Sequence, residues 1–261
     1  MFEGFLFFMD TKIYDEDTYI NPNIPYVFNR PIIEYDMKEA GWSLTKEYKL
    51  LDKDTIEKFS KYKKEYRTVE LGKLQRNNED YKNQLKEAFP FVRKLFFDGN
   101  GLENTDIISI KKDAIFSLKK CKMKKIGEYI EFRPKHTYTS YVHLSKKIEL
   151  YYNEKELEVK GLGEDQVNLH KDYMLNFINL FFVKMETETR ENVIKFLVRF
   201  INRYKKRLLD VGYYRTFDSQ SNFYLLNEDD IYDNFWEDEK DRLDISYNYH
   251  NVVLKLLEIL I

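Results

Sequence analysis

Two aspartates, Asp36 and Asp113, carry the chemical promise of this sequence. Asp36 closes the apolar run PIIEYD of residues 31–36, and Asp113 sits in the tight link of DIISIKKDAIFSL, residues 106–118. If both runs are strands of one sheet, their carboxylates converge on one edge. A carboxylate pair offers the hard oxygen ligands preferred by Mg²⁺ (or Mn²⁺), ions that keep waters and substrate phosphates in their shell. Two such ions activate an attacking hydroxyl and stabilise a leaving pyrophosphate. Phosphoryl transfer asks for little more than this and cations to hold the triphosphate. Each aspartate also has an ordinary structural role open to it, Asp36 as a helix cap and Asp113 as a turn residue.

The elements that must position these acids read as follows. A short apolar strand covers Phe5–Met9, and a loop with Pro22 and Pro25 leads to the strand ending in Asp36. Helical spacing of Ala40, Leu44, Tyr48 and Leu51 gives a helix over 38–51. Asp52–Asp54 starts a basic helix over 55–70, and a third covers 72–97 with a kink near Pro90. Asp98-Gly99-Asn100-Gly101 is a turn signal, followed by two short strands around Lys111-Lys112-Asp113. Residues 128–160 alternate as short antiparallel strands. Helices follow over 166–184, 191–208 and 247–261. The fold class is α+β, with residues 1–165 as a sheet-bearing region with inserted helices 37–97, and 166–261 as a helical region.

Composition sets further bounds. With 261 residues and 43% apolar content the chain can bury a sizeable core. One cysteine, Cys121, allows no intrachain disulfide and fits a reducing cytoplasm. It lies among five lysines in residues 119–125, a setting that can lower a thiol pKa. No basic leader precedes Phe5–Met9, so no secretory signal is expected. No run reaches the roughly 18 apolar residues of a membrane span. The net charge of −2 conceals an asymmetry: residues 227–244 hold nine acidic and two basic residues, a net of −7, which leaves +5 on the rest. That acidic run, which includes Phe235 and Trp236, suits a solvated loop, a nucleic-acid mimic docked on the basic body, or a partner-binding segment.

Cations fit a polymer groove. Lys58, Lys61, Lys63, Lys64 and Arg67 share the helix of 55–70, and Lys112, Arg133, Lys135, Arg199 and Arg203 add to it. Phosphate contacts by such residues are salt-sensitive and indifferent to sequence. Tyr138, Tyr141, Tyr151 and Tyr152 offer rings for base stacking or for cross-strand packing. His136, His143, His170 and His250 show no paired metal-ligand spacing. Gly161 and Gly163 lack the lysine and hydroxyl residue of a phosphate loop, and no serine lies in a nucleophile elbow.

Ser109–Phe116, SIKKDAIF, resembles motif C of family-B DNA polymerases, with Asp113 at the second metal-binding aspartate and Lys111 in place of the first. Asp36 in IIEYDMKEAGWSL resembles the motif A aspartate, although Lys38-Glu39-Ala40 stands where the serine-leucine-tyrosine-proline signature belongs. YTSYVHL (138–144) followed by LEVKGL (157–162) is similar to the lysine-glycine segment near the primer-template. The resemblance spans residues 30–210 and implies a minimal, phage-type palm with a helical thumb. Asp36 and Asp113 would hold Mg²⁺, and Lys64, Arg67, Lys73 and Arg76 would hold deoxynucleoside triphosphates. Lys112, Arg133, Lys135, Tyr141, Lys160, Arg199 and Arg203 would line primer-template DNA. The implied activity is template-dependent nucleotidyl transfer in a host cytoplasm. Lys111 in place of an acid favours the alternative, a palm that has lost catalysis and grips nucleic acid or a replication partner.

Overall fold

The computed structural model describes residues 12–145, 147–217, 223–225 and 249–261. The expected strand Phe5–Met9 and the acidic run 227–244 lie outside them. In chain order the strands are β1 (Thr18–Ile20), β2 (Tyr26–Val27), β3 (Ile32–Met37), β4 (Ile107–Lys111), β5 (Ala114–Ser117), β6 (Phe132–Tyr138), β7 (Ser140–His143), β8 (Glu149–Tyr152), β9 (Leu157–Lys160), β10 (Arg215–Phe217) and β11 (Phe223–Leu225). The helices are α1 (Ala40–Glu47), α2 (Lys53–Ser60), α3 (Lys64–Asn77), α4 (Glu79–Asn100), α5 (Glu164–His170), α6 (Asn176–Thr187), α7 (Arg190–Lys205) and α8 (Tyr249–Leu260). The fold is α+β. Among the described residues no helix is long and apolar enough to cross a membrane.

The chain forms two compact units. The first comprises residues 1–23 and 32–137, and the second residues 24–31 and 138–261. The boundary falls at Thr137, and the four-stranded sheet shares its apolar cluster with the C-terminal helices.

The first unit is built on the sheet β1-β4-β5-β3-β6. β3 is phased by its own sequence: Ile33, Tyr35 and Met37 alternate with Ile32, Glu34 and Asp36, so the two sets lie on opposite faces. Tyr35 and Met37 join the core under α4, whose Tyr81, Leu85, Phe89, Val92 and Phe96 form one apolar stripe. Two sequence expectations fail here for local reasons. The break between α3 and α4 comes at Asn78, whose side chain accepts from the Tyr81 N–H at 3.0 Å and starts a new helix. The Asp98–Gly101 turn is instead the end of α4, with Gly101 in the left-handed region at φ +57°. Asp52 caps α2 as its sequence implied, accepting from the Thr55 N–H at 2.9 Å.

The second unit pairs β2-β7-β8-β9, all antiparallel, with α5–α8. Between α5 and α6 the backbone widens into a π-helical segment at Lys171–Leu175. α7 buries Val193, Leu197, Phe200, Ile201 and Tyr204, and α8 buries Val252, Val253 and Leu256 in the same cluster. The backbones of β10 and β11 form a hairpin with Arg215 opposite Leu225.

Candidate functional site

β4 and β5 are joined by the two-residue turn Lys112-Asp113, with Lys111 paired to Ala114. Lys112 takes φ +53°, a left-handed conformation uncommon for a residue with a Cβ. A buried arginine holds it there. Arg93 of α4, fully excluded from solvent, donates from Nη1 to the Lys112 carbonyl at 2.7 Å and from Nε to the Tyr14 carbonyl at 2.7 Å. Its Nη2 faces Asp17 at 3.5 Å. β3 lies on the other side of β5, with Asp36 opposite Ala114, and the Met37 N–H donates to the Asp113 carbonyl at 3.0 Å. Residues 36 and 113 thus meet at one sheet edge.

Their side chains do not share a side. Asp36 pairs across to Ala114 and lies beside Lys135, whereas Asp113, in the turn, lines a space against α4 that Asp36 does not line. Asp36 shares its face with Lys111, through Ala114, and with Glu34. Lys135 of β6 lies 3.5 Å from Glu34 and 4.0 Å from Asp36. On this face Lys135 lies between Glu34 and Asp36, and Asp113 is not among the groups around it, so Asp36 and Asp113 do not form the shared pair that two divalent ions need.

Asp113 instead lines a cavity of about 340 Å³ in the first unit. Its wall runs from the start of α1 across α3 to Phe89 of α4 and the β4–β5 turn. Three cations reach it: Lys64 at the first position of α3, Arg67 one turn on, and Lys112. The Lys112 ammonium lies 5.0 Å from the Phe89 ring centre, within cation–π range. The first residues of α1, Ala40, Gly41 and Trp42, line the same space. Their N–H groups belong to the turn that has no partners within the helix, at the positive end of its dipole.

Glu39 stands in front of that helix start. It takes φ +46°, and its side chain makes no capping bond to α1. Both carboxylate oxygens accept from Arg67 Nη2, at 2.9 and 3.0 Å. The Arg67 guanidinium also sits 5.1 Å over the Trp42 ring. Lys46, packed 4.0 Å over the Tyr129 ring, has its pKa lowered by burial first and by the neighbouring Arg67 charge second. The cavity lining thus carries three cations against two carboxylates, Glu39 and Asp113, beside an aromatic wall.

A family model described as the Bacteriophage PBS1 gene 130 protein matches residues 9–261, nearly the whole chain. The chain belongs to this family. It is therefore a phage protein by kinship, and no curated protein matches it.

The remaining cations of this phage protein scatter. Lys73 pairs with Glu70 at 2.7 Å, and Arg76 turns back to the Gly72 carbonyl at 3.2 Å; neither lines the cavity. Arg133 is held by Glu131 at 2.9 Å on the surface. Lys160 pairs with Glu158 in the second unit. Arg199 and Arg203 are exposed on α7. Tyr141, expected to line nucleic acid, is instead fully buried and donates to the buried Glu149 at 3.3 Å, so it offers no face to a base. Tyr138, Tyr151 and Tyr152 are buried with it. Burial pushes the Tyr141 hydroxyl far above its ordinary pKa, and the Glu149 charge adds to this. Cys121 is buried as well, and desolvation pushes its thiol up to about 11 despite the lysines around it. The residues of the cavity and its adjoining turn that sequence reasoning missed are Glu39, Trp42 and Arg93. Only Lys38-Glu39-Ala40, standing where a helix should start without a capping side chain, hinted at the first.

Proposed function

We propose that this phage protein binds a nucleoside triphosphate in the cavity of its first unit, without the two-metal transfer step. The observation that supports it is the convergence of Lys64, Arg67 and Lys112 with the unpartnered N–H groups at the start of α1. Such a corner attracts phosphate by charge and by backbone donors together. The apolar wall of Trp42, Leu85 and Phe89 leaves room beside the phosphates for a base. Mg²⁺ accompanies the triphosphate in this reading, and Asp113 would meet it, since Glu39, the other carboxylate of the lining, is engaged by Arg67.

Template-dependent transfer is the second reading, supported by the neighbouring backbones of Asp36 and Asp113. It requires the β4–β5 turn to swing the Asp113 carboxylate to the Asp36 face, against the hold of Arg93 on Lys112 and beside Lys111. Primer extension with Mg²⁺ or Mn²⁺ tests it, with Asp113→Ala and Asp36→Ala as controls. Extension that depends on both acids would establish transfer. Binding is tested by Trp42 fluorescence during titration with the four deoxynucleoside triphosphates in Mg²⁺, using the Trp236→Phe background so that Trp42 alone reports. Saturable quenching is expected, weakened at least about tenfold by Arg67→Ala or Lys64→Ala, since each removes a charged phosphate donor worth roughly 1.5–3 kcal/mol. Absence of saturable quenching, or an Arg67→Ala titration that overlays the parent, refutes the reading.

A further inference from the structure

α7 presents a row of cations that its own unit leaves largely uncompensated. Lys195, Arg199, Arg203 and Lys206 follow one another at i, i+4, i+8 and i+11, and so occupy one face, with Lys206 at the C-cap. At 1.5 Å rise per residue they span about 16 Å, with neighbouring charges about 4.5–6 Å apart along the axis. All four are exposed and line an open groove of about 510 Å³ together with Val198 and Leu208.

Their electrostatic surroundings are one-sided. Arg199, Arg203 and Lys206 form no ion pair among the described residues. Lys195 pairs with Glu191 at 2.8 Å, but both partners are well exposed and such a contact is worth little. Arg203 donates from Nη2 to the Leu208 carbonyl at 2.9 Å, which holds its guanidinium along the groove without neutralising it. The helix dipole favours cations only in the last turn. It therefore helps to account for Arg203 and Lys206, whereas Lys195 and Arg199 stand mid-helix without it. Val198 and Leu208, 40% and 59% exposed, give the row an aliphatic floor.

We infer that this face of α7 is a track for the phosphodiester backbone of a nucleic-acid strand. Evenly spaced cations meet evenly spaced phosphates, guanidiniums grip phosphate oxygens with two donors, and the aliphatic floor receives sugar edges. Contacts of this kind read charge and not base sequence. The inference does not depend on the cavity of the first unit and stands or falls separately.

Fluorescence anisotropy of a labelled oligothymidylate and of a labelled duplex of equal length, titrated with the whole chain over a range of salt, tests it. Four neutralised phosphates on a single strand give a log–log salt slope of about −2.8, so binding should weaken about 50-fold between 50 and 200 mM salt. The triple variant Arg199→Gln, Arg203→Gln, Lys206→Gln keeps its circular dichroism, because all three side chains are exposed. It should bind at least about tenfold more weakly, with a slope near −0.7. Lys58→Gln with Lys61→Gln in α2 should change neither quantity. Tighter binding of the duplex, with a slope nearer −3.6, supports the same assignment, since the contacts remain phosphates. Salt-insensitive or undetectable binding overturns the inference, as does a triple variant equal to the parent or an equal loss in the α2 control. A peptide of residues 227–244 that occupies the groove more tightly than either nucleic acid also overturns it.

Discussion

Glu39 is the residue whose replacement separates binding from folding most cleanly. Its left-handed backbone costs about 1–2 kcal/mol for a side chain with a Cβ. The bonds to Arg67 at 2.9 and 3.0 Å offset this, since charge-assisted hydrogen bonds contribute roughly 1.5–3 kcal/mol. Glu39 and Arg67 side chains are only 22% and 12% exposed, so water screens the pair weakly. Glu39→Gln keeps the shape and one acceptor but removes the charge. The first unit should lose about 1–2 kcal/mol, lowering Tm by roughly 3–8 °C for a unit of this size. Ligand affinity should move the other way. In the parent, an incoming phosphate meets the Glu39 carboxylate and competes with it for Arg67. At an effective dielectric near 20, two like charges several ångströms apart repel by a few kcal/mol before salt and rearrangement reduce it. A residual of about 1.4 kcal/mol corresponds to tenfold tighter triphosphate binding in the variant. Isothermal titration calorimetry beside differential scanning calorimetry reads both quantities on one sample. A stable Glu39→Gln chain that binds triphosphate more weakly than the parent would refute the argument, because Glu39 would then be orienting Arg67 for the ligand.

Four further outcomes are expected. Arg93→Met removes two charged donors, to the Tyr14 and Lys112 carbonyls; urea unfolding should show a loss of about 3–5 kcal/mol, since each such bond contributes roughly 1.5–3 kcal/mol. Phe96→Ala, at a fully buried position beside Phe132 and Tyr35, should cost about 3–5 kcal/mol through the cavity it leaves, read from the urea midpoint at unchanged slope. The Cys121 thiol, raised to about 11, favours its protonated form in the folded state. The stability it contributes is whole below the unfolded pKa near 9 and is lost as pH rises toward 11, so alkaline unfolding should be less steep in Cys121→Ala, and maleimide labelling at pH 8 should be slow until the chain unfolds. Burial lowers the His250 pKa below 6.5, first by desolvation and then through Lys205. Its contribution is present above the unfolded value and is lost as pH falls through it, so the second unit should melt lower at pH 5 than at pH 7, and less so in His250→Asn.

Much of the scaffold was legible in the residues. PIIEYD and IISIKKDAIFS are continuous apolar runs interrupted only where the chain must turn, and they became β3, β4 and β5. The stripe from Val193 to Tyr204 gave α7 within a few residues of its ends, because five apolar side chains at helical spacing have one way to be buried together. The relation between Asp36 and Asp113 was half legible. Each acid could be placed at a strand end, but whether two ends share a face depends on a register that shifts sign with every residue, and Asp36 opposite Ala114 is set by packing of Tyr35 and Ile115 in the core. Tyr141 was misread for a related reason. Alternation assigns one face of a strand to solvent, yet β8 is buried at every position, so its neighbour β7 has no wet side to offer. The break at Asn78 escaped because a single capping side chain outweighed a helical run on both sides of it. Nothing in the spacing of residues announced that Glu39 would reach Arg67 across 28 positions.

The excursion of residues 24–31 into the second unit gives the molecule a thread that ties its halves together during synthesis. β2 leaves the ribosome early but can pair only when β7 follows, more than a hundred residues later, with Tyr26 opposite Val142. Until then the edge of that sheet does not exist, and a chain cut after the first unit carries an orphan strand. A C-terminal fragment starting at Tyr138 would in turn present β7 with bare N–H and C=O groups, an invitation to pair with another copy. Severing this protein at its apparent boundary therefore yields two sticky pieces, not two domains.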